Sequence, residues 1–390
     1  MTFIPFWAAF VANSAAICGV RWAEIIRTIG SIPKNLICSM QFCITSISLA
    51  EPITTATEDV FLDTICFFLY KRLQYFTVSK YAVMITVQFR KCKLIQGWEM
   101  QTRKPFVAGQ FYAGQYDSCV DEINECLEAE TISETLPETI VAGIVPHAGW
   151  TFSGTLAALV FSAIKQQHDK VHSFVIFGAT HSYFGKLPAL YEAGSWATPL
   201  GEVPIDEELA DAVLKTGTAV SDPDAHRSEH SIEVQVPFIQ YLFAGAKILP
   251  ILVPPREQAV ALGTSVGEII KRDEKKKIVC IGSTDLTHYG PRYGFTPMGT
   301  GLEGLRWADR VNDQRFIDLA LRLDAAEMLA SAAENGNACG PGAAAAAVAA
   351  AKILGKRKGL LLGHTNSNEI MLRKMGETSY DSVGYAAIVF

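Results

Sequence analysis

Between Thr139 and Trp150 the chain reads TIVAGIVPHAGW, and this stretch limits the available folds more than any other. Val141 to Val145 holds no polar residue, so it reads as a strand covered on both faces, the habit of parallel sheets flanked by helices. Pro146 ends the ladder and Gly149 permits a sharp turn, which leaves His147 at the strand's carboxyl end. The arrangement recurs twice. Phe174–Ser182 reads FVIFGATHS and ends in His181, and Lys277–Gly290 reads KIVCIGSTDLTHYG and ends in Asp285 and His288. Ligands of open α/β sheets sit outside the carboxyl ends of the strands. Three buried strands that each deliver a histidine to that edge therefore imply one shared site.

From Arg103 onward strand and helix patterns alternate. RKPFVAGQFYAG reads as an entry segment. Helices are expected over Asp117–Glu130, Ser153–Gln166, Asp206–Thr216, Gln258–Arg272 and most of Arg306–Ala333, with a further short buried strand at Lys247–Val253. Within His226–Gln240, Ser228 reads as an N-cap, and His230 and Glu233, three apart on the presumed helix, share a face. The expected fold class is α/β, with a central, mostly parallel or mixed sheet and helices on both faces.

Residues 1–100 read differently from 101–390. They hold five of the nine cysteines and none of the eight histidines, and they are slightly basic where the remainder is acidic. Thr2–Val20 is uncharged but carries Pro5 and Asn13 and lacks a basic leader, so it is a poor signal peptide and a marginal membrane span. The expectation is an atypical extension, either a gene-model artefact upstream of Met100 or a membrane-associated segment.

A net charge of −6 without a long basic block argues against nucleic-acid binding. The cysteines form no CxxC pair and no regular spacing, which points to a reducing, cytoplasmic compartment rather than a disulfide framework. Gly299–Gly304 spells GTGLEG but follows no strand, so it is not read as a dinucleotide loop, and GTSVG at 263–267 lies inside a helix pattern.

The last chemically loaded stretch is NGNACGPGAAAAAVAAAK, residues 335–352. Pro341 suits a first helical turn and the alanines propagate it, so Cys339 is expected at a helix N-terminus, where unpaired N–H groups favour a thiolate. Imidazole and thiolate together suit iron, copper or zinc. His147 and His181 read as ligands, while Cys339 reads either as a third donor or as a small buried residue. Asp285 and His288 fit ligands, orienting groups or an acid–base pair, and His230 with Glu233 fits either the site or a structural cap. His168 and His172 are expected at an exposed helix end, His226 in a polar loop, and His364 at a strand end bordering the site.

PHAGW at 146–150, GATHS at 178–182, EHSIE at 229–233, STDLTHYG at 283–290 and NACG at 337–340 resemble the Memo family. Its bacterial and archaeal members are called AmmeMemoRadiSam system protein B. The resemblance spans Arg103–Phe390, including the closing SVGYAAIVF, and implies a fold like that of the class III extradiol dioxygenases. Carried over, it implies His147, His181 and Cys339 as ligands of an iron or copper ion, with Asp285, His288 and His230 lining the same pocket. It also implies radical-SAM and AMMECR-type partner proteins. Ring-opening dioxygenases of that fold use two histidines and a carboxylate, so Cys339 is a departure, as is Ser182 where other members often carry a second histidine. Three functions follow as expectations: a metal-binding protein with redox or oxygen-linked chemistry, a hydrolase or transferase with Cys339 as nucleophile, or a partner-binding module.

Overall fold

The computed structural model describes residues 102–273 and 275–390, and the expectations for residues 1–100 lie outside the described residues. The elements run β1 (Thr102–Arg103), α1 (Tyr116–Glu128), β2 (Ala142–Val145), α2 (Trp150–Gln167), β3 (Ser173–Gly178), β4 (Ala189–Leu190), β5 (Ser195–Thr198), β6 (Gly201–Pro204) and α3 (Glu207–Leu214). They continue with β7 (Val220–Ser221), α4 (Val236–Leu242), β8 (Lys247–Leu252), α5 (Gln258–Arg272), β9 (Ile278–Ser283), β10 (His288–Tyr289), α6 (Leu302–Trp307), α7 (Gln314–Leu321) and α8 (Ala325–Asn335). The last are α9 (Pro341–Ile353), β11 (Leu360–Asn366), α10 (Ser367–Met375) and β12 (Ser382–Val389).

The all-apolar runs form the centre of a mixed sheet. Strands β2, β9, β3 and β8 lie parallel in that order. Strand β12 runs antiparallel beside β2, and β10 and β11 pair with β12. The short strands β4 and β7 extend the other edge, and β1, β5 and β6 make a separate small sheet. Register sets Val145 opposite Ser283 and Phe177 opposite Gly282, so β2, β9 and β3 end level with one another. The residues that follow them emerge together.

Helices cover both faces. A Cβ on Gly143 would lie 2.6 Å from Val160 of α2, and one on Gly282 would lie 2.8 Å from the Ala343 carbonyl of α9. Gly282 pairs with Ile144, the residue after Gly143. Successive strand residues face opposite ways, so α2 and α9 lie on opposite sides of the sheet. Ala343 to Ala351 of α9 are all buried, between the sheet and α5. Only small side chains let the helix approach so closely, and that approach carries its N-terminus to the strand ends.

Several expectations are corrected. His226–Gln240 is not one helix: a 3-10 turn at Glu233–Gln235 leads into α4, and Ser228 is exposed. His230 and Glu233 consequently serve different places. His226 is fully buried, with Nε2 3.0 Å from the Ala189 carbonyl, and His168 is buried with Nε2 2.7 Å from the Ile140 carbonyl. Arg306–Ala333 is broken by a π-helical segment at Ala308–Asp313 and by Leu323, whose φ is 55°. GTGLEG is a turn leading into α6, and Gly263 and Gly267 lie in α5. Among the described residues Cys119, Cys126, Cys280 and Cys339 are free, and no helix is long and apolar enough to cross a membrane.

Candidate metal centre

His147 is separated from β2 by Pro146 alone and is 1% exposed. Its backbone N–H donates to Asp285 Oδ1 at 2.7 Å, which ties the end of β2 to the segment after β9. Its ring Nδ1 lies 3.1 Å from Ser283 Oγ. That hydroxyl spends its only proton on the Ser231 carbonyl at 2.7 Å. Ser283 therefore accepts from His147, Nδ1 carries the hydrogen, and the Nε2 lone pair is free. Nε2 faces Cys339 Sγ at 3.1 Å.

His181 is set in the same manner by a carboxylate. Glu229, 2% exposed, accepts from the His181 backbone N–H and stands against ring Nδ1, both at 2.9 Å. It also accepts from Ser231 N–H at 2.9 Å. Burial opposes the charged form of His181, but the Glu229 hydrogen bond and charge outweigh it and raise its pKa. Burial likewise opposes the Glu229 carboxylate, yet the His181 contact and two backbone N–H groups hold it well below the usual range. A second carboxylate buttresses this wall: Arg103 donates to the Glu229 carbonyl at 2.8 Å and to Glu233 at 2.7 Å.

His230 lies over His181, ring centroids 4.6 Å apart and planes 13° apart, while its ring meets His147 edge-on at 5.5 Å. Burial, reinforced by the neighbouring rings, pushes His230 down to about 4 and His147 down to about 3. Both are neutral donors at neutral pH. Asp285 is almost fully buried, which raises its carboxyl pKa against the lowering effect of the His147 N–H. His288 Nε2 lies 4.0 Å from Asp285 Oδ2 and is a buried nitrogen with no hydrogen-bond partner among the described residues.

Cys339 precedes the N-cap of α9, Gly340. It exchanges backbone ties with Asp285: its N–H donates to the Asp285 carbonyl at 3.2 Å, and Asp285 N–H approaches Sγ at 3.3 Å. The thiolate expected from the helix end is corrected. Burial, and then the charge of Asp285, push this thiol well up, against the lowering effect of the Asp285 N–H at Sγ. A bound cation would displace that proton.

Among the described residues two triads at this edge have donor atoms within 4.8 Å of one another, His147–His181–His230 and His147–Asp285–Cys339; they share His147, and the expected ligands His181 and Cys339 fall in different triads. The strand-end histidines, Asp285, His230, His288 and Cys339 thus gather at one edge of the sheet. His364 does not: it joins Asp309 and Asp313 in a third group. The donor set fits a transition metal, since it offers imidazoles with preset tautomers, a thiol, and a buried nitrogen without a partner. Sequence reasoning missed Glu229, Ser283 and Arg103, and also Gln235, whose Nε2 donates to the Pro146 carbonyl at 2.8 Å and to Ser283 Oγ at 3.3 Å. Glu229 and Ser283 stood inside the quoted motifs beside His230 and Asp285, which was the available signal.

The family model described as Memo-like protein matches residues 103–389. The MEMO1 family protein of Thermococcus onnurineus is 37% identical over 297 residues, covering 74% of this chain and 99% of that protein. The MEMO1 family protein of Pyrococcus horikoshii is 36% identical over 296 residues, with 74% and 98% covered. That of Methanosarcina barkeri is 35% identical over 295 residues, with 74% and 99% covered.

Proposed function

The chain belongs to the Memo-like protein family, and from that premise we propose that it is a metal-binding protein holding iron or copper through His147, His181 and Cys339. One observation carries the reading. His147 is locked at Nδ1 by Ser283 with its free Nε2 3.1 Å from Cys339 Sγ, while Glu229 locks Nδ1 of His181. Supporting bonds of this kind orient histidine ligands and raise their basicity.

Iron or copper bound there would supply redox or oxygen-linked chemistry, of the kind that the resemblance to the extradiol-dioxygenase fold would imply. The remaining work falls to the chain's own groups. Asp285 fixes the position of His147 through its backbone N–H and turns its other oxygen toward His288. That pair is suited to hold and move a proton at His288 Nε2. His230, neutral and half-buried, stacks beside His181. Cysteine usage favours a cytoplasmic setting. Radical-SAM and AMMECR-type proteins are the partners to seek, following the system name that the family resemblance carries.

The test is metal content after anaerobic purification without added metal, for wild type, His147→Ala and Cys339→Ser. Wild type retains a stoichiometric iron or copper complement and both variants lose most of it. Equal content in all three removes the reading. The 3.1 Å approach of Cys339 to His147 also favours a second reading, in which Cys339 is a nucleophile and His147 its base. That reading requires rapid stoichiometric labelling of Cys339 in metal-free protein, whereas the raised thiol pKa leads us to expect slow labelling.

A further inference from the structure

Asp313, Asn312 and Asn337 are buried polar residues outside the metal centre, each 1% exposed or less. The first two close the π-helical segment Ala308–Asp313, where the wider turn brings neighbouring residues to bear on one spot. Asp313 Oδ1 accepts from Thr287 N–H at 2.9 Å, and Oδ2 lies 3.1 Å from His364 Nε2 on β11. Asn312 Nδ2 donates to Thr287 Oγ1 at 3.1 Å. The Asn312 carbonyl accepts from Asn337 Nδ2 at 3.2 Å, two residues before Cys339. Thr287 lies between Asp285 and His288, and Gly384 of β12 bonds the same turn by accepting from Leu286 N–H and donating to the Thr287 carbonyl.

We infer that the Asp313–His364 pair, acting with Asn312 and Asn337, is a positioning brace that fixes both the Asp285–His288 turn and the Cys339 segment of the candidate metal centre. The inference rests on the metal-binding reading above. A brace explains the cluster better than a second ion site does. Both Asp313 oxygens already have partners, and Asp309 Oδ1 accepts from Asn366 Nδ2 at 3.2 Å. An ion would have to displace those bonds. His364 lies 3.1 Å from Asp313 but 3.9 Å from Asp309, so its main partner is Asp313. The chain of contacts then runs from β11 through the π-helical segment to two separate pieces of the site.

The experiment titrates Co(II) into metal-free full-length protein, following thiolate-to-cobalt absorption, with thermal melts of the metal-free variants beside it. Asp313→Asn and His364→Leu are expected to weaken Co(II) binding about tenfold, the lower end for groups that support metal ligands, and to shift the thiolate band. His364→Gln keeps a donor toward Asp313 and stays close to wild type. Folded His364→Leu with unchanged affinity and band overturns the brace. Loss of a separate Co(II) equivalent in that variant also overturns it, because the cluster would then bind an ion itself. Should Asp313→Asn fail to fold, His364→Leu decides alone, since His364 lies on an edge strand and is partly exposed. Absence of a thiolate band in wild type counts against Cys339 as a ligand, not against the brace. The brace is then judged by amide exchange at Thr287, which His364→Leu must accelerate and which unchanged protection would refute.

Discussion

Replacing Glu233 with Gln tests how the wall of the site is held. Its side chain is 1% exposed, and its oxygens accept from Arg103 Nη1 at 2.7 Å, Phe106 N–H at 2.8 Å, Val107 N–H at 2.9 Å and Tyr112 O–H at 3.0 Å. Glutamine keeps the shape but turns one acceptor into a donor. An N–H group then faces either the guanidinium or the backbone amides, and Arg103 is left buried without its counter-ion. Removing one partner of a buried pair costs about 3–5 kcal/mol. Arg103 retains its bonds to the His226 and Glu229 carbonyls and lies 4.2 Å over the Trp196 ring, which argues for the lower figure, about 3 kcal/mol. Urea denaturation at pH 7 should show that loss with an unchanged m value. The double variant Arg103→Met/Glu233→Gln should lose less than Glu233→Gln alone, because no charge is then stranded. A loss under about 1 kcal/mol in Glu233→Gln, or strict additivity in the double variant, would refute this account of the Arg103–Glu233 pair.

His147 and His226 are fully buried with pKa values pushed down to about 3, chiefly by burial, so the unfolded chain binds their protons first. Metal-free stability is therefore full above pH ~6.5 and falls by about 1.4 kcal/mol per unit for each ring below it, while His181, whose pKa is raised, works in the opposite sense; a flat profile from pH 7 to 5 contradicts this. In α5, a Cβ at Gly263 would strike the Ala346 backbone of α9, whereas one at Gly267 would meet Ile353 Cβ at 2.8 Å and the Ala350 carbonyl oxygen at 3.1 Å, a milder overlap, though one that no rotamer change relieves. Gly263→Ala should thus lower Tm more than Gly267→Ala, by a net cost of about 1–2 kcal/mol after the helix-propensity gain, and the reverse order in calorimetry would sink the packing argument.

What the sequence made legible is what repeats or is local. Apolar runs ending in His147, His181 and Asp285 announce parallel strands and a shared edge, because strand burial and chain direction fix where the next residue emerges. The alanine helix was legible for the same reason: its composition dictates both its conformation and its close approach to the sheet. Polar supports carry no such period. Arg103 reaches Glu233 across 130 residues, and Glu229 reaches His181 across 48. Nothing in the spacing of either pair distinguishes a buried partner from a surface charge. His226 does lie in a turn and His168 at a helix end, but both are buried rather than solvated, because neutral imidazole satisfies one backbone carbonyl and otherwise packs as an apolar ring.

Cys339 shows how a correct local rule loses to a global one. The helix end is where the alanines place it, and its dipole does favour a thiolate. That effect is worth about 1 kcal/mol near an exposed terminus, whereas removing a thiolate from water beside Asp285 costs more. The strand register that gathers the histidines also sets the partly buried sulfur beside His147 Nε2 and the Asp285 N–H. Assembling the donors and suppressing the free thiolate therefore have one cause. On the proposed reading, Cys339 would become an anionic donor only where a cation takes the proton's place, and metal uptake would then release a proton. Isothermal titration in two buffers of different ionisation enthalpy should register that proton at neutral pH, and buffer-independent heats would argue that the sulfur does not take part.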